Sequence, residues 1–337
     1  MKILAIETSC DETAAAVVED GRDVLSSVVT SQVDVHSRYG GVVPEVASRA
    51  HVELLTPVVA EALLEAGLTG WDLDAVAATT GPGLIGSLLV GVSAAKGYAL
   101  AWGLPFVGVN HLEAHLHAAF LEEPSLNLPV VVLLVSGGHT MLISMESGAD
   151  GGFPFVYRLL GQTIDDAAGE AFDKVARFLG LGYPGGPPID QEAAKGDATA
   201  VAFPRGLRGE GYDFSFSGLK TSVITYVRKH PETPVRDIAA SFREAVVDVL
   251  VEKSRRAARD VGAKGICLGG GVAANALLRE RVTAVCEEDG LQAFIPSLVM
   301  CTDNAAMIGA TAWYRLRTDG PSPLDTPANP NLHLPLL

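Results

Sequence analysis

Residues 2–19 read KILAIETSCDETAAAVVE, which is an apolar run, a short polar turn and a second apolar run. Residues 130–145, VVVLLVSGGHTMLISM, follow the same plan with a turn that contains two glycines. Short apolar runs that end at turn residues are typical of buried strands, so each segment is expected to form a β-hairpin. The predicted strands span 2–7, 14–18, 130–135 and 141–145.

A second pattern also occurs twice, namely a strand, a glycine turn and a helix. Residues 75–80 lead into Gly81-Pro82-Gly83, and residues 265–268 lead into Gly269-Gly270-Gly271. The same order of elements in both halves indicates an internal duplication. We therefore predict an α/β protein with two related lobes and a ligand cleft where the turns of both lobes converge.

Hydrophobic periodicity gives the helices and, with them, the domain bounds. The predicted helices span 46–66, 166–179, 236–261 and 304–317. We expect a first lobe at 1–123, which the C-terminal helix 303–318 completes, a second lobe at 124–300, and a tail at 319–337. The tail is rich in Pro and Asn, and this composition predicts mobility.

Composition fits a folded protein of two ordinary domains. The chain has 337 residues, of which 48% are hydrophobic and 19% are charged, so it can bury a large core. A net charge of −15 argues against binding nucleic acid by electrostatics alone. Basic clusters do occur, and charge patterning favours solvated helix faces for them. They are Lys253, Arg255, Arg256 and Arg259, then Arg279 and Arg281.

Cysteine usage and the apolar segments predict a cytoplasmic protein. Four cysteines without a close pair fit a reducing compartment. The N-terminal apolar run stops at Glu7, far short of a signal peptide. The stretch from Leu84 to Trp102 contains Lys96 and several Gly and Ser residues, so we expect a buried helix and no membrane span.

The glycine turns are candidate phosphate-binding segments. Residues 81–86 match G-x-G-x-x-G, but no acid follows at the distance that a ribose contact needs, so a packing role stays open. Residues 136–138 and 269–271 together favour a phosphate site, because glycine lets backbone N–H groups approach phosphate oxygens. Asp11 and Glu12 on the opposing turn could orient a cation or water.

His111 and His115 form the candidate metal site. On a helix the two imidazoles differ in direction by about 40°, so both can bind one ion. Glu113 points about 200° away from His111, unlike the glutamate of a zinc protease motif. Asp303, at the start of the last helix, is the best third ligand. The alternatives are a surface helix for the histidines and simple helix capping for Asp303.

The whole set of motifs is more specific than any one of them. Its segments are 7–13 (ETSCDET), 40–45 (GGVVPE), 81–84 (GPGL), 111–115 (HLEAH), 134–140 (LVSGGHT), 165–174 (DDAAGEAFDK), 183–186 (YPGG), 213–220 (DFSFSGLK), 270–275 and 301–304 (CTDN). In order and over nearly the whole chain, they resemble the tRNA N6-adenosine threonylcarbamoyltransferase family of the TsaD type. This family is part of the actin/Hsp70/sugar-kinase superfamily, so the resemblance implies two duplicated actin-like (ribonuclease H-like) lobes.

The resemblance implies an acyl transfer to tRNA. The threonylcarbamoyl group of threonylcarbamoyl-AMP would pass to the N6 amine of the adenosine beside the anticodon, in tRNAs that read codons beginning with adenine. Its implied metal ligands, for one Fe²⁺ or Zn²⁺, are His111, His115 and Asp303. Its implied adenylate-binding residues are Leu134, Val135, Ser136, Gly137, Gly138, Asp173, Gly186, Asp190 and Asn275. Asp11, Glu12 and His139 are the candidate catalytic residues.

The resemblance also implies partners, which would compensate for the acidic charge of a tRNA-modifying chain. They are a TsaB-like paralogue, a TsaE-like ATPase and a TsaC-type synthase that supplies the adenylate, and the basic clusters could form the remaining tRNA contact. Ala114 and Asn110 depart from the family pattern but remove no proposed ligand. Three other functions stay open at this point: a metalloprotease, a small-molecule kinase of the same superfamily, and a non-catalytic scaffold.

Overall fold

The computed structural model describes residues 1–122, 127–148 and 155–336. Among these, residues 1–122 and Thr302–Pro335 form one compact unit, and residues 127–148 and 155–301 form a second. The boundary predicted between Glu123 and Pro124 lies outside the described residues.

Ten strands and eleven α-helices carry the fold of the described residues. The strands are β1 Lys2–Glu7, β2 Glu12–Glu19, β3 Asp23–Ser31, β4 Ala75–Gly81, β5 Phe106–Asn110, β6 Val130–Val135, β7 Thr140–Glu146, β8 Val156–Gln162, β9 Gly265–Gly269 and β10 Gln292–Phe294. The helices are α1 Val33–His36, α2 Pro44–Glu65, α3 Ile85–Trp102, α4 His111–Glu122, α5 Ala168–Phe178, α6 Gly186–Ala193, α7 Ser217–Lys229, α8 Val235–Asp260, α9 Ala276–Asp289, α10 Leu298–Cys301 and α11 Ala305–Thr318.

The first sheet has the strand order β3-β2-β1-β4-β5. β1 and β2 form the predicted antiparallel hairpin, with Glu7 paired to Ala14 across the turn. β1 also pairs in parallel with β4, and β4 with β5. Since β1 is central and nearly all of its residues are buried, its apolar sequence is what a strand covered on both faces requires.

The second sheet repeats this topology with the order β10-β9-β6-β7-β8. β6 takes the place of β1, since it pairs antiparallel with β7 and parallel with β9. β8 continues the antiparallel side, as β3 does in the first sheet. The predicted duplication into two α/β lobes is therefore confirmed.

Four predicted helices agree with α2, α5, α8 and α11 to within two residues at each end. α8 has a long buried face, which includes Phe242, Val246 and Leu250. This face belongs to the core of the second unit, where it packs with Phe172 of α5 and Leu133 of β6. The first unit has its own apolar core between its sheet and the helices α2 and α3.

α3 is the one described helix that is long and apolar enough to cross a membrane by length and composition. Its inward face, with Leu88 and Val92, is buried and packs against β4 and α2. Its outward face exposes Ile85, Leu89 and Leu100. The helix expected to be buried is therefore buried along one side only.

The segment after Asp319 is held in the first unit, although its composition predicted a mobile tail. We call residues 320–335 the C-terminal strap. Its hydrogen bonds to the first unit include Asn329 N to Thr80 O (2.7 Å), Ser322 N to Phe106 O (2.8 Å), Gly83 N to Pro330 O (3.2 Å) and Asn110 Nδ2 to His333 O (2.8 Å). Leu334 is buried. The strap is anchored mostly through hydrogen bonds of backbone groups, and amino-acid composition cannot predict these bonds.

Deleting the C-terminal strap should destabilise the first unit. A chain that ends at Asp319 loses these hydrogen bonds and the burial of Leu334, which together contribute about 4 kcal/mol or more. Urea unfolding of the truncated and full chains measures the difference, with a chain lacking only Leu336 and Leu337 as control. A difference below about 0.5 kcal/mol would show that the strap contributes nothing to the fold.

Candidate metal centre

The helix α4 begins where β5 ends, at Asn110. The side-chain Oδ1 of Asn110 accepts hydrogen bonds from the backbone N–H groups of Leu112 (2.9 Å) and Glu113 (3.2 Å), which caps the helix. Most of α4 is buried, His115 included. The surface-helix alternative for His111 and His115 is therefore wrong.

The structure brings both histidines to one carboxylate oxygen. Oδ1 of Asp303 lies 3.1 Å from Nε2 of His115 and 3.4 Å from Nε2 of His111. The two imidazole rings are 4.7 Å apart between centroids and nearly perpendicular. One ligand atom from each of the three residues lies within 4.8 Å of the others. Sequence spacing and structure thus agree on the same three residues.

Asp303 is not the cap of the last helix. Asn304 is the N-cap of α11, because its side chain accepts a hydrogen bond from Met307 N at 3.0 Å. Asp303 precedes the cap, so its carboxylate can face the histidines of α4. The capping alternative is therefore wrong for Asp303 and correct for its neighbour.

Opposite charges hold the centre together. Burial alone would lower the pKa of His111, but the negative charges of Asp303 and Glu7 raise it well above its ordinary value. Burial alone would raise the pKa of Asp303, but His111 and His115 lower it. The two carboxylates therefore favour a positive charge on the ring of His111 between them.

Two imidazoles and one carboxylate are a donor set that suits Fe²⁺ or Zn²⁺. The three donor groups leave further coordination positions to water or substrate, as catalytic metal sites require. The residues present therefore fit a divalent cation of this kind.

The loop between β1 and β2 places Asp11 and Glu12 in the same unit. Asp11 is buried, and Glu12 begins β2. Burial, followed by the negative charges of Asp303 and Asp11, raises the pKa of Glu12 to about 9. Burial and the neighbouring acids therefore favour the protonated form of Glu12. His139, the third catalytic candidate, lies in the second unit, in the turn after β6.

Glu113 has a structural partner that sequence reasoning missed. Its buried carboxylate receives two hydrogen bonds from Arg315 of α11, at 2.7 Å from Nη2 and 3.0 Å from Nε. Bidentate pairs of this kind are strong and directional. Glu113 therefore joins α4 to α11, and the metalloprotease alternative loses the residue that would serve as its base.

The turn predicted to bind phosphate lies at the end of β6. Leu134 and Val135 are buried in the strand, whereas Gly137 and Gly138 are exposed. A side chain added at either glycine would meet no described atom within 4 Å. The backbone of this turn is therefore open to a ligand.

The neighbouring glycines serve close packing instead. A Cβ on Gly169 would lie 2.5 Å from the carbonyl oxygen of Ser136, and one on Gly270 would lie 2.5 Å from that of Val135. Gly270 also has a φ of +84°, which side chains disfavour. These two glycines let α5 and the segment after β9 approach the end of β6.

Asp173, Asp190 and Asn275 are brought together with Gly186 by local hydrogen bonds. Oδ1 of Asp173 accepts from Gly185 N at 2.7 Å, just before α6 begins at Gly186. Oδ1 of Asp190 accepts from Asn275 Nδ2 at 3.1 Å, and its Oδ2 accepts from Ala276 N at 3.0 Å. These side chains connect α5 to the start of α6, and α6 to the start of α9.

Arg243 of α8 completes this network and was not singled out by its sequence. Its guanidinium binds Asp190 at 2.5 Å, and the side chain is largely buried. Because Arg243 comes from a long regular helix, only the fold reveals that it faces Asp190. Asp190 therefore already balances a charge within the second unit.

Most residues of the basic clusters are engaged within the protein, so they do not form a free basic surface, while Arg259 remains 58% exposed, as a solvated helix face would be. Asp289 binds both Arg255 and Arg259, Arg281 binds Glu244 and Asp248, Lys253 donates to the carbonyls of Glu210 and Gly211, and Arg256 lies over the ring of Tyr212. The acidic partners lie in other segments of the chain, so the basic runs by themselves do not reveal these ion pairs.

A buried histidine holds the loop that carries Asp11. Nε2 of His51 donates to Cys10 O at 3.0 Å, and its Nδ1 accepts from Thr13 Oγ1 at 2.8 Å. Burial lowers the pKa of His51, so it stays neutral in the fold. His51 therefore joins the turn at Cys10 to the start of β2 at Thr13.

One protein-family model matches residues 23–310 of the chain, under the description tRNA N6-adenosine threonylcarbamoyltransferase. The chain belongs to this family. It is 57% identical to the tRNA N6-adenosine threonylcarbamoyltransferase of Anaeromyxobacter dehalogenans over 94% of each chain. It is 51% identical to that of Thermotoga neapolitana over 98% of this chain and 99% of the relative. The resemblance drawn from the motifs is thus confirmed.

Solved structures with the same two-lobed fold are more distant. Component A of (R)-2-hydroxyglutaryl-CoA dehydratase from Acidaminococcus fermentans superposes with a TM-score of 0.57, at 17% identity over 94% of this chain and 100% of that chain. HypF from T. kodakarensis superposes with a TM-score of 0.60, at 16% identity over 95% of this chain and 48% of that chain. At these identities the likeness shows the fold alone.

Replacing His51 should make the stability of the protein less dependent on pH. The unfolded state binds a proton at His51 near its ordinary pKa of about 6.5, whereas the folded state resists it, so stability is lost as the pH falls below that value. In His51→Gln, the loss of unfolding free energy from about pH 8 to about pH 5.5 should be smaller than in the parent by up to about 1 kcal/mol. Urea titrations at the two pH values measure this, and equal losses would contradict it.

Proposed function

We propose that this chain transfers the threonylcarbamoyl group of threonylcarbamoyl-AMP to the N6 amine of the adenosine beside the anticodon, in tRNAs that read codons beginning with adenine. Threonylcarbamoyl transfer to N6 of a tRNA adenosine is the activity of its family. The observation that carries the proposal is the family match over most of the chain, together with a metal-ligand triad in the first unit.

We propose that one divalent cation, Fe²⁺ in the first place and Zn²⁺ as the alternative, binds to Nε2 of His111, Nε2 of His115 and the carboxylate of Asp303. The short distances among these atoms and their burial support this assignment. A bound cation of this charge acts as a Lewis acid that can polarise a carbonyl oxygen. Asn110 caps the start of α4, which carries both histidines, and Asn304 caps α11 directly after Asp303.

We propose that the second unit binds the adenylate. Gly137 and Gly138 leave open space at the end of β6, and a backbone without side chains suits the close approach of phosphate oxygens. Asp173, Asp190, Gly186 and Asn275 would complete the site. Since both carboxylate oxygens of Asp190 already accept protein hydrogen bonds, its contribution would be to fix the backbone around the nucleotide.

The transfer itself needs one proton acceptor. The N6 nitrogen forms a bond to the carbamoyl carbon, the bond from that carbon to the phosphate oxygen breaks, and AMP leaves. The N6 proton must pass to a base, and we propose Asp11, Glu12 and His139 as the side chains that handle it. The raised pKa of Glu12 means that this side chain, once ionised, is a stronger base than an ordinary carboxylate.

We propose that partner proteins act with this chain in the cytoplasm. The net charge is −15, and the basic clusters are occupied by internal acids, so tRNA binding needs a contribution from elsewhere. A TsaB-like paralogue and a TsaE-like ATPase would assist the chain, and a TsaC-type synthase would supply the adenylate. The exposed apolar face of α3 supports a protein partner, because such faces mark interaction sites.

Removing a metal ligand should abolish transfer without unfolding the chain. Asp303→Ala should lower the rate of threonylcarbamoyl transfer by at least about 100-fold, because the cation loses its only carboxylate ligand. Labelled threonylcarbamoyl is followed onto tRNA transcripts with partners added one at a time, and metal content is measured in parallel. His117→Phe is the matched control, since His117 lies in the same helix, packs against Tyr314 and is not a proposed ligand. Full tRNA modification by Asp303→Ala would contradict the metal assignment.

Blocking the open turn should weaken adenylate binding selectively. Gly137→Val adds a side chain where no described atom lies within 4 Å, so the fold should persist. The affinity for an adenylate analogue should fall by at least about 10-fold, because the side chain occupies the space of the phosphate. Gly218→Val, at another open glycine, is the control and should bind as the parent does. Calorimetric titration measures both affinities. An unchanged affinity in Gly137→Val would contradict the placement of the phosphate at this turn.

A further inference from the structure

Glu7 is a buried acid that neither the ligand triad nor the adenylate site uses. It is the last residue of β1, and its side chain has no exposed surface. A carboxylate at this depth is costly unless its charge is balanced and its oxygens accept hydrogen bonds. Its place in an otherwise apolar strand therefore calls for a specific partner.

Three donors satisfy this carboxylate. Oε1 accepts from the backbone N–H of Ser9, and Oε2 accepts from the hydroxyl of Thr79 and from Nδ1 of His111 at 3.1 Å. The hydrogen bond to Nδ1 of His111 also determines which form of Nε2 is present on the opposite side of the ring. When Nδ1 carries the proton that Glu7 accepts, a neutral imidazole has its lone pair on Nε2.

That nitrogen is the one that faces the other members of the triad. Nε2 of His111 lies 3.4 Å from Asp303, so the acid at Nδ1 and the acid at Nε2 lie on opposite edges of one ring. His115 differs, because its buried Nδ1 has no hydrogen-bond partner among the described residues. Of the two histidines, His111 has the carboxylate support.

We propose that Glu7 is a positioning residue that fixes the tautomer and ring orientation of His111, so that Nε2 is presented to the cation. This inference rests on the metal site proposed above. Carboxylates that accept from the far nitrogen of a metal-binding histidine raise its basicity, and their loss weakens metal binding by about 10-fold to 100-fold.

A purely structural role for Glu7 has to be distinguished from this positioning role. Glu7 also joins β1 to β4 through Thr79, so a variant could act by loosening the sheet. Thr79→Val removes that hydrogen bond and leaves the contact between Glu7 and His111 in place. It is therefore the matched control for a general loss of packing.

The test measures affinity for Zn²⁺ alone, by competition with a chelator, in the full chain. Glu7→Gln should bind Zn²⁺ about 10-fold to 100-fold more weakly than the parent, whereas Thr79→Val should bind within about threefold of it. Nitrogen NMR of histidine-labelled protein with Zn²⁺ adds a second readout. The parent should show His111 bound through Nε2, with a slowly exchanging proton on Nδ1.

The outcomes separate this inference from the metal site itself. If the parent binds no Zn²⁺, the proposed site fails and the role of Glu7 fails with it. If the parent binds and Glu7→Gln binds equally well, only the role of Glu7 is overturned. Should Glu7→Gln not fold, the parent spectrum decides, since coordination through Nδ1 of His111 would contradict the proposal.

Discussion

A histidine ring between two carboxylates is the arrangement on which the centre of the first unit depends. Glu7 accepts from one nitrogen of His111, and Asp303 lies at the other. The buried Glu7 and the partly buried Asp303 would repel each other without a positive charge between them. The imidazole supplies this charge when it is protonated, and a bound cation would supply it in the same place. The arrangement of β1, α4 and the start of α11 thus favours a cation at this point, whether a proton or a metal ion.

Duplication explains how one topology supports two chemistries. β1 and β6 occupy equivalent positions in their sheets, and each ends at a hairpin turn. β1 ends in Glu7, which contacts the proposed metal ligand His111, whereas β6 ends in Val135, which leads into an open glycine turn. A strand end is a rigid place for either function, because its backbone is held by neighbours on both sides. The two lobes thus share a topology and differ in the residue at the end of the equivalent central strand.

The elements with a strong sequence pattern could be predicted from the sequence. The central strands, the long helices and the triad follow from apolar runs, period and spacing, while the edge strands β3 and β8 were missed because they are half exposed. Arg243, Arg315 and the C-terminal strap could not be found this way, since their partners lie far away in the chain. Glu7 could have been recognised from the sequence, because it is an acid that directly follows a buried apolar run, where a charge needs a partner.

The central claim is that a divalent cation binds between α4 and the start of α11. Crystals of the protein prepared with Zn²⁺, measured at the zinc absorption edge, test it most directly. The account predicts one anomalous peak per chain, at about 2.0–2.2 Å from Nε2 of His111, Nε2 of His115 and an oxygen of Asp303. A peak at other residues, or an empty triad under saturating Zn²⁺, would contradict it.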